Sequence, residues 1–155
     1  METPADRLFI KENKKERERL RQLVNEMTDE ELSLVIYEEG WTIAVVLAHL
    51  AFGDQRTLQF LKKWRQISVT AEPPLDINHI NDALLPLFLA IPPRVAAGLA
   101  VSLAETLDCE LEEAAPDMVK AMEELAPGRL HRAPHRKRHL DEIEALLKTA
   151  RRKTG

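Results

Sequence analysis

Three histidines are the residues of this sequence whose type and spacing best suit chemistry. His135 and His139 are four positions apart in a segment that is predicted to be mostly helical. Side chains at i and i+4 share one helix face, so two imidazoles at this spacing can hold one metal ion. His49 lies far upstream in an apolar helical stretch and is the favoured third ligand. Three protein ligands leave an open coordination position, as in catalytic rather than structural zinc sites.

Other roles for the same histidines stay open. At about 100° per residue, His135, His139 and Glu142 fall on one helix stripe that also carries apolar residues. Burying these groups is costly unless they have partners. A metal would supply one, with Glu142 accepting a hydrogen bond from one of its histidine ligands or serving as an extra ligand. Contact with water at a partly exposed helix start would also suffice, and a lone histidine such as His49 is often a hydrogen-bonded core residue.

A basic cluster surrounds the histidine pair, formed by Arg129, Arg132, Arg136, Lys137 and Arg138. Nearby positive charge disfavours imidazolium and keeps the rings neutral and able to coordinate. It could also attract an acidic substrate, and Arg136 could orient the bound group. The alternative is a solvated basic patch, or an interaction surface over residues 129–138. The formal net charge of −4 makes nucleic-acid binding unlikely.

Composition indicates one ordinary globular domain over residues 1–155. Of the 155 residues, 45% are hydrophobic and 31% charged, enough apolar material for a real core. No apolar run reaches the ~18 residues that span a bilayer, so no membrane association is expected. Residues 1–7 lack the layout of a signal peptide. The single cysteine, Cys109, fits a reducing compartment and a buried apolar role, and the protein is predicted to be cytoplasmic.

Helical periodicity dominates the chain and predicts an all-α fold. The four long helices are predicted at about 5–27, 42–67, 94–114 and 134–152, which favours an antiparallel bundle. Thr42 is the predicted N-cap of the second of these helices. Shorter helices are expected in the connections: one from the capping box at Thr28 toward Tyr37, one capped by Asp76, and one over residues 116–125.

Several local features accompany these helices. Only five glycines occur and β-branched alternation is absent, so strands are not expected. The charged run of residues 11–19 is predicted to be a solvated face. Val95 and Leu99 belong to the predicted core stripe of the helix at 94–114. Pro86 is expected to bend or shorten the helix that contains it, and Pro134 separates His131 from the histidine pair.

Two segments together resemble a known family. Residues 40–50, GWTIAVVLAHL, resemble the start of the second helix in the DinB-like superfamily, and HRKRHLDEI at 135–143 resembles its final metal-binding motif. That group includes mycothiol-dependent maleylpyruvate isomerases and bacillithiol transferases. The resemblance implies a four-helix bundle holding a divalent ion, zinc or nickel, on His49, His135 and His139. It further implies a small-molecule substrate, in some relatives a low-molecular-weight thiol, and a possible homodimer.

The leading hypothesis is therefore a metal-dependent enzyme of thiol S-transferase, isomerase or hydrolase type with an unknown substrate. A non-catalytic protein that binds a metal or small ligand at the same residues is the first alternative. An interaction module that uses the basic cluster is the second.

Overall fold

The computed structural model describes residues 7–154 and has the all-α architecture predicted from the sequence. The predicted helix start at Ala5 and the segment examined for a signal peptide, apart from Arg7, lie outside these residues. The helices are α1 Leu8–Glu26, α2 Asp29–Leu32, α3 Ile43–Gln66, α4 Ile77–Leu89, α5 Pro93–Glu112, α6 Pro116–Leu125, α7 Pro127–Leu130 and α8 Ala133–Thr154, and the strands are β1 Val35–Tyr37 and β2 Trp41–Thr42.

The four long helices α1, α3, α5 and α8 form the bundle, and the short helices occupy its connections. Around the bundle the order is α1, α5, α3, α8, so that each long helix packs against two others. Within residues 7–154, no helix is long and apolar enough to cross a membrane.

The tightest packing joins α3 to α5 through small side chains. The buried face of α5 carries Ala96, Ala97, Ala100 and Ala104. The predicted stripe was wrong in this respect, because Val95 and Leu99 are 52% and 40% exposed. Alanine lets two helix axes approach closely, and the first turns of α3 supply the larger apolar side chains that fill the interface.

The charged run of α1 is not simply a solvated face. Asn13 and Glu16 are buried there, at 2% and 5% exposure. The Asn13 amide donates to the Leu130 carbonyl, and its oxygen accepts from the backbone N–H groups of Arg132 and Ala133, each at 2.9 Å. A side chain of α1 thus satisfies backbone groups at the start of α8, which would otherwise be unpaired.

A short β-hairpin replaces the expected continuation of the helix toward Tyr37. The capping box at Thr28 is present as predicted, but its helix ends at Leu32. Val35–Tyr37 then pairs antiparallel with Trp41–Thr42. Gly40 makes the turn possible with φ of 89°, a conformation that other residues rarely adopt. The expectation of no strands was therefore wrong, because three β-favouring residues precede a turn glycine.

Two further local predictions concern Pro86 and Cys109. Pro86 does not end its helix, which continues three residues beyond it to Leu89, and the bend stays a prediction. Proline is tolerated there because the surface around it is exposed, so water can satisfy the freed carbonyl of Asp82. Cys109 is exposed rather than buried, since α5 turns Asp108 and Leu111 inward instead.

A buried ion network lies at the junction of the four long helices. Arg136 on α8 is only 1% exposed. Its guanidinium donates to both carboxylate oxygens of Asp108 on α5 at 2.9 Å, and to Asp54 on α3 at 3.2 Å. Asp108 also accepts from Arg17 on α1, and Asp54 from Arg132, at 3.0 and 2.9 Å. The role expected for Arg136 at the histidine site is thus replaced by a structural one, because its side chain points into the bundle.

Replacing Arg136 by alanine should destabilise the protein strongly. The change would leave Asp54 and Asp108 buried with too little positive charge, and breaking a buried pair typically costs about 3–5 kcal/mol of unfolding free energy. Lys137→Ala is the matched control, because that neighbour makes an exposed ion pair with Asp141 and should cost less than about 1 kcal/mol. Urea unfolding would measure both; equal losses in the two variants would contradict the assigned role.

Candidate metal centre

The structure brings the three predicted histidines together. His49 extends from α3, and His135 and His139 extend from α8. The Nε2 atoms of His49 and His135 are 3.1 Å apart. The three ring centroids are separated by 4.9 to 5.2 Å, and one ring nitrogen from each histidine lies within 4.8 Å of the others. Three nitrogen donors from two helices therefore surround one point.

Helix caps position these rings. Thr42 begins α3 as predicted, because its hydroxyl accepts from the Val45 N–H at 3.1 Å. On the other side, α8 begins at Ala133, and so His131 does not extend the histidine stripe. The His131 ring instead contacts Glu123 at 2.5 Å. His79 is exposed on α4, as expected.

Gly53 allows the start of α8 to approach α3 closely. A Cβ atom at this position would lie 3.0 Å from a terminal nitrogen of Arg132 and 3.7 Å from Cε1 of His135. The absence of a side chain on α3 therefore makes room for Arg132 and for the His135 ring, one helical turn from His49.

The outer side of the His139 ring has a partner that the sequence did not suggest. Its Nδ1 lies 3.2 Å from the hydroxyl of Tyr37 on β1. That hydroxyl donates a hydrogen bond to the carboxylate of Glu142. Glu142 was predicted near the site, and it does reach the histidines, but through Tyr37. No sequence motif indicated that Tyr37 belongs to the site. The only available signal was the run of β-favouring residues before Gly40, which indicates a hairpin.

His49 has both an aromatic and a polar neighbour. Trp41 packs edge-on against its ring at a centroid distance of 5.6 Å. The Nδ1 atom is buried and makes no hydrogen bond to another described residue, although the nearby Asn81 side chain on α4 favours the charged form of the ring. A histidine ligand usually donates its second ring N–H to a polar group, and this position is unfilled at His49.

Burial keeps the three imidazoles neutral. It is the main cause that lowers the pKa of His49 to about 4, with contributions from His139 and Arg132. Burial, followed by the charge of Arg132, lowers the pKa of His135 to about 2. The pKa of His139 is also lowered, mainly by burial, although Glu142 opposes the shift. At neutral pH all three rings therefore retain a lone pair for coordination.

Tyr37 remains a neutral phenol. Burial and the neighbouring Glu142 carboxylate raise the pKa of its hydroxyl well above the ordinary value. The hydroxyl is therefore able to donate one hydrogen bond and accept another over the whole physiological pH range.

A cavity of about 1010 Å³ opens next to the three histidines. The hairpin, α3, the start of α4 and the segment entering α8 form its walls. Its lining includes both cations and carboxylates, among them Arg56, Arg138, Glu38 and Asp82. A small polar molecule can therefore reach the ring nitrogens from this side.

The donor set fits a divalent ion. Zinc–nitrogen bonds of about 2.0–2.1 Å in tetrahedral geometry place neighbouring nitrogens about 3.3 Å apart. The separation of 3.1 Å between His49 and His135 is close to that value, and a ring nitrogen of His139 lies within 4.8 Å of both. Neutral imidazole suits zinc, nickel and several other ions.

Comparison with known proteins identifies the family. Residues 14–152 match the mycothiol maleylpyruvate isomerase N-terminal domain family. Because this match covers most of the chain, the protein belongs to that family, and the DinB-like fold predicted from the two motifs is confirmed. Neither the curated proteins nor the solved structures gave a significant match.

The metal-free protein should lose stability as the pH falls from about 6.5 toward 4. In this window the unfolded histidines take up protons, whereas the folded rings, with lowered pKa values, do not. Stability is thus retained above pH 6.5 and lost below it, by on the order of 2 kcal/mol each for His49 and His135. Urea unfolding as a function of pH would measure this, and His135→Gln should flatten the curve. A slope unchanged in that variant would contradict the assignment.

Proposed function

We propose that this protein is a metal-dependent enzyme of DinB-like type, with a divalent ion held by His49, His135 and His139. The carrying observation is that three neutral imidazoles from two helices converge beside a cavity large enough for a small molecule. Family membership supports the same conclusion. Zinc and nickel are the favoured ions, because both accept imidazole nitrogen.

The three-histidine ligand set supports metal-assisted chemistry, and the family resemblance supplies the reaction types. A divalent ion with three protein ligands is a Lewis acid that lowers the pKa of a water or thiol occupying its open position. The protein supplies three of the ligands: His49 from α3, and His135 and His139 from α8. Trp41 covers the His49 ring and limits water on that side. We favour thiol S-transfer, isomerisation or hydrolysis of a small-molecule substrate, with a low-molecular-weight thiol as a possible co-substrate.

Glu142 is better suited to support than to coordination. Its carboxylate accepts the hydrogen bond of Tyr37 and lies 3.5 Å from Arg138. Using it as a fourth ligand would require both contacts to change. A divalent ion held by the three histidines would therefore still be accessible to a molecule from the cavity.

The alternative functions are less well supported. A non-catalytic protein that binds a metal or a small ligand would use the same three histidines, and an activity assay separates it from an enzyme. The basic cluster of residues 129–138 is not one continuous exposed surface, because Arg129, Arg132 and Arg136 are buried. Arg129 and Arg132 form ion pairs with Glu72 and Asp54. An interaction module based on that cluster is therefore disfavoured.

Two further proposals accompany this one. A cytoplasmic location is proposed because the single cysteine fits a reducing compartment. A homodimer is proposed from the family resemblance, and exposed aliphatic side chains offer an apolar surface for it at Leu87, Leu89, Val95 and Leu99. Sedimentation velocity over a range of concentrations would test the second proposal, and a monomer at every concentration would contradict it.

Removal of one imidazole should abolish stoichiometric metal binding. We expect untagged wild-type protein to contain about one zinc or nickel ion per chain, and His135→Ala or His139→Ala to contain far less while keeping its helicity. Elemental analysis and circular dichroism measure the two properties. His79→Ala is the matched control, because it removes an exposed histidine outside the cluster. Wild-type protein that never binds zinc or nickel and gains no thermal stability from them would refute the proposal.

Catalysis should depend on the loaded site. We expect metal-loaded wild-type protein to accelerate exchange between a low-molecular-weight thiol and an electrophilic acceptor, and His49→Ala to lose this activity along with the metal. The His79→Ala control should retain both. If the loaded protein binds thiols, as seen by calorimetry, without turning over any acceptor, the non-catalytic alternative is correct.

A further inference from the structure

Tyr37 lies outside the metal-ligand set but touches one member of it. The residue is half-buried on β1, 102 positions from His139 in sequence. Its hydroxyl is the polar atom between the His139 ring and the Glu142 carboxylate. The three groups form a hydrogen-bonded series, in which each group determines whether its neighbour donates or accepts.

We propose that Tyr37, oriented by Glu142, fixes the His139 ring in the tautomer that carries its proton on Nδ1. The Nε2 lone pair of His139 is then directed toward His49 and His135. Tyr37 is thus a positioning residue, and its effect on metal affinity rests on the proposed function, whereas the tautomer itself does not.

The donor and acceptor roles of the three groups follow from the Glu142 carboxylate at one end of the hydrogen-bonded series. A carboxylate only accepts hydrogen bonds, so the contact to Glu142 uses the single proton of the Tyr37 hydroxyl. The phenol oxygen can then only accept from its other neighbour. The contact at 3.2 Å is therefore donated by the His139 Nδ1–H, and a neutral imidazole with its proton on Nδ1 has its lone pair on Nε2.

The opposite tautomer would be unfavourable in two places. It would direct the Nδ1 lone pair at an oxygen that has no proton left to donate. It would also turn an N–H group, rather than a lone pair, toward the point that the other two imidazoles surround, so His139 would be unable to bind an ion there. The first fault leaves two acceptors facing each other in a largely buried site, where unpaired polar groups are costly.

The hairpin holds Tyr37 in this position. The Gly40 N–H donates to the Tyr37 carbonyl at 3.1 Å and closes the turn. Trp41, the first residue of β2, packs against the Tyr37 ring at a centroid distance of 5.9 Å and also against His49. The Tyr37–Trp41 pair thus positions the Tyr37 hydroxyl and covers one side of its hydrogen bonds.

Nuclear magnetic resonance of the metal-free protein tests the tautomer directly. Long-range correlations between ring protons and ¹⁵N nuclei distinguish a proton on Nδ1 from one on Nε2. We expect His139 in wild-type protein to be the Nδ1–H form, and Tyr37→Phe to convert it to a mixture. Glu142→Gln should preserve the wild-type form, because the amide oxygen still accepts from Tyr37, whereas Glu142→Ala should not. A wild-type ring protonated on Nε2, or a Tyr37→Phe spectrum identical to wild type, overturns the inference.

Zinc affinity, measured by competition with a chelating dye, gives the second readout. Loss of an outer-shell partner typically costs 10–100-fold in metal affinity, and we expect losses in this range for Tyr37→Phe and Glu142→Ala. The double variant should lose no more than either single one, because both act through one hydrogen-bonded series. Glu38→Gln is the matched control; it removes another carboxylate of the cavity wall and should change affinity less than threefold.

The two readouts separate this inference from the proposed function. Wild-type protein that binds no zinc refutes the proposed function, and the tautomer of His139 in the metal-free protein then decides the present inference alone. Wild-type protein that binds zinc while Tyr37→Phe binds it equally well leaves the proposed function standing and overturns the role assigned to Tyr37.

Discussion

The geometry of the site depends on the neutralisation of one buried guanidinium. Arg136 extends from α8 next to His135, and its partner Asp54 extends from α3 next to Gly53. The ion pair that holds α8 against α3 therefore also sets the separation of His135 from His49. Because charges are costly in a dry interior unless each is paired, α8 cannot slide or rotate without exposing Arg136, Asp54 or both to an unfavourable environment. The same water-poor interior keeps the neighbouring imidazoles unprotonated, so one arrangement of charges supports both the packing and the chemistry.

Much of this arrangement was accessible from the sequence. The four-residue spacing of His135 and His139 placed both rings on one face, since helix periodicity is a local property that one segment determines. The side-chain caps at Thr28, Thr42 and Asp76 were predicted for the same reason. The pairing of His49 with the other two rings needed more than periodicity; the resemblance of two distant segments to one family supplied it, and the structure places the three rings together.

The features that the sequence did not reveal depend mainly on contacts between residues far apart in sequence. In the string His-Arg-Lys-Arg-His the three cations look alike, yet Arg136 is buried while its neighbours Lys137 and Arg138 are exposed. The difference arises from Asp108 and Asp54, which are 28 and 82 positions distant. Likewise, the alanine face of α5 gave a weaker hydrophobic signal than Val95 and Leu99, although close helix packing selects small residues. The hairpin was missed because the capping box at Thr28 favoured a longer helix than forms.

The location of the hairpin has a consequence for how such a protein can diversify. The three histidines are built into helices whose packing tolerates little change, whereas Tyr37 reaches His139 from a two-stranded excursion of only a few residues between α2 and α3. Trp41 of this hairpin belongs to the hydrophobic core, but Glu38 and Glu39 are exposed and line the cavity, so substitutions at these two positions can alter the entrance with small effects on the stability of the four-helix body. Selection, or an engineer, thus has a short and separable segment through which reactivity and substrate preference can be tuned while the scaffold is inherited unchanged.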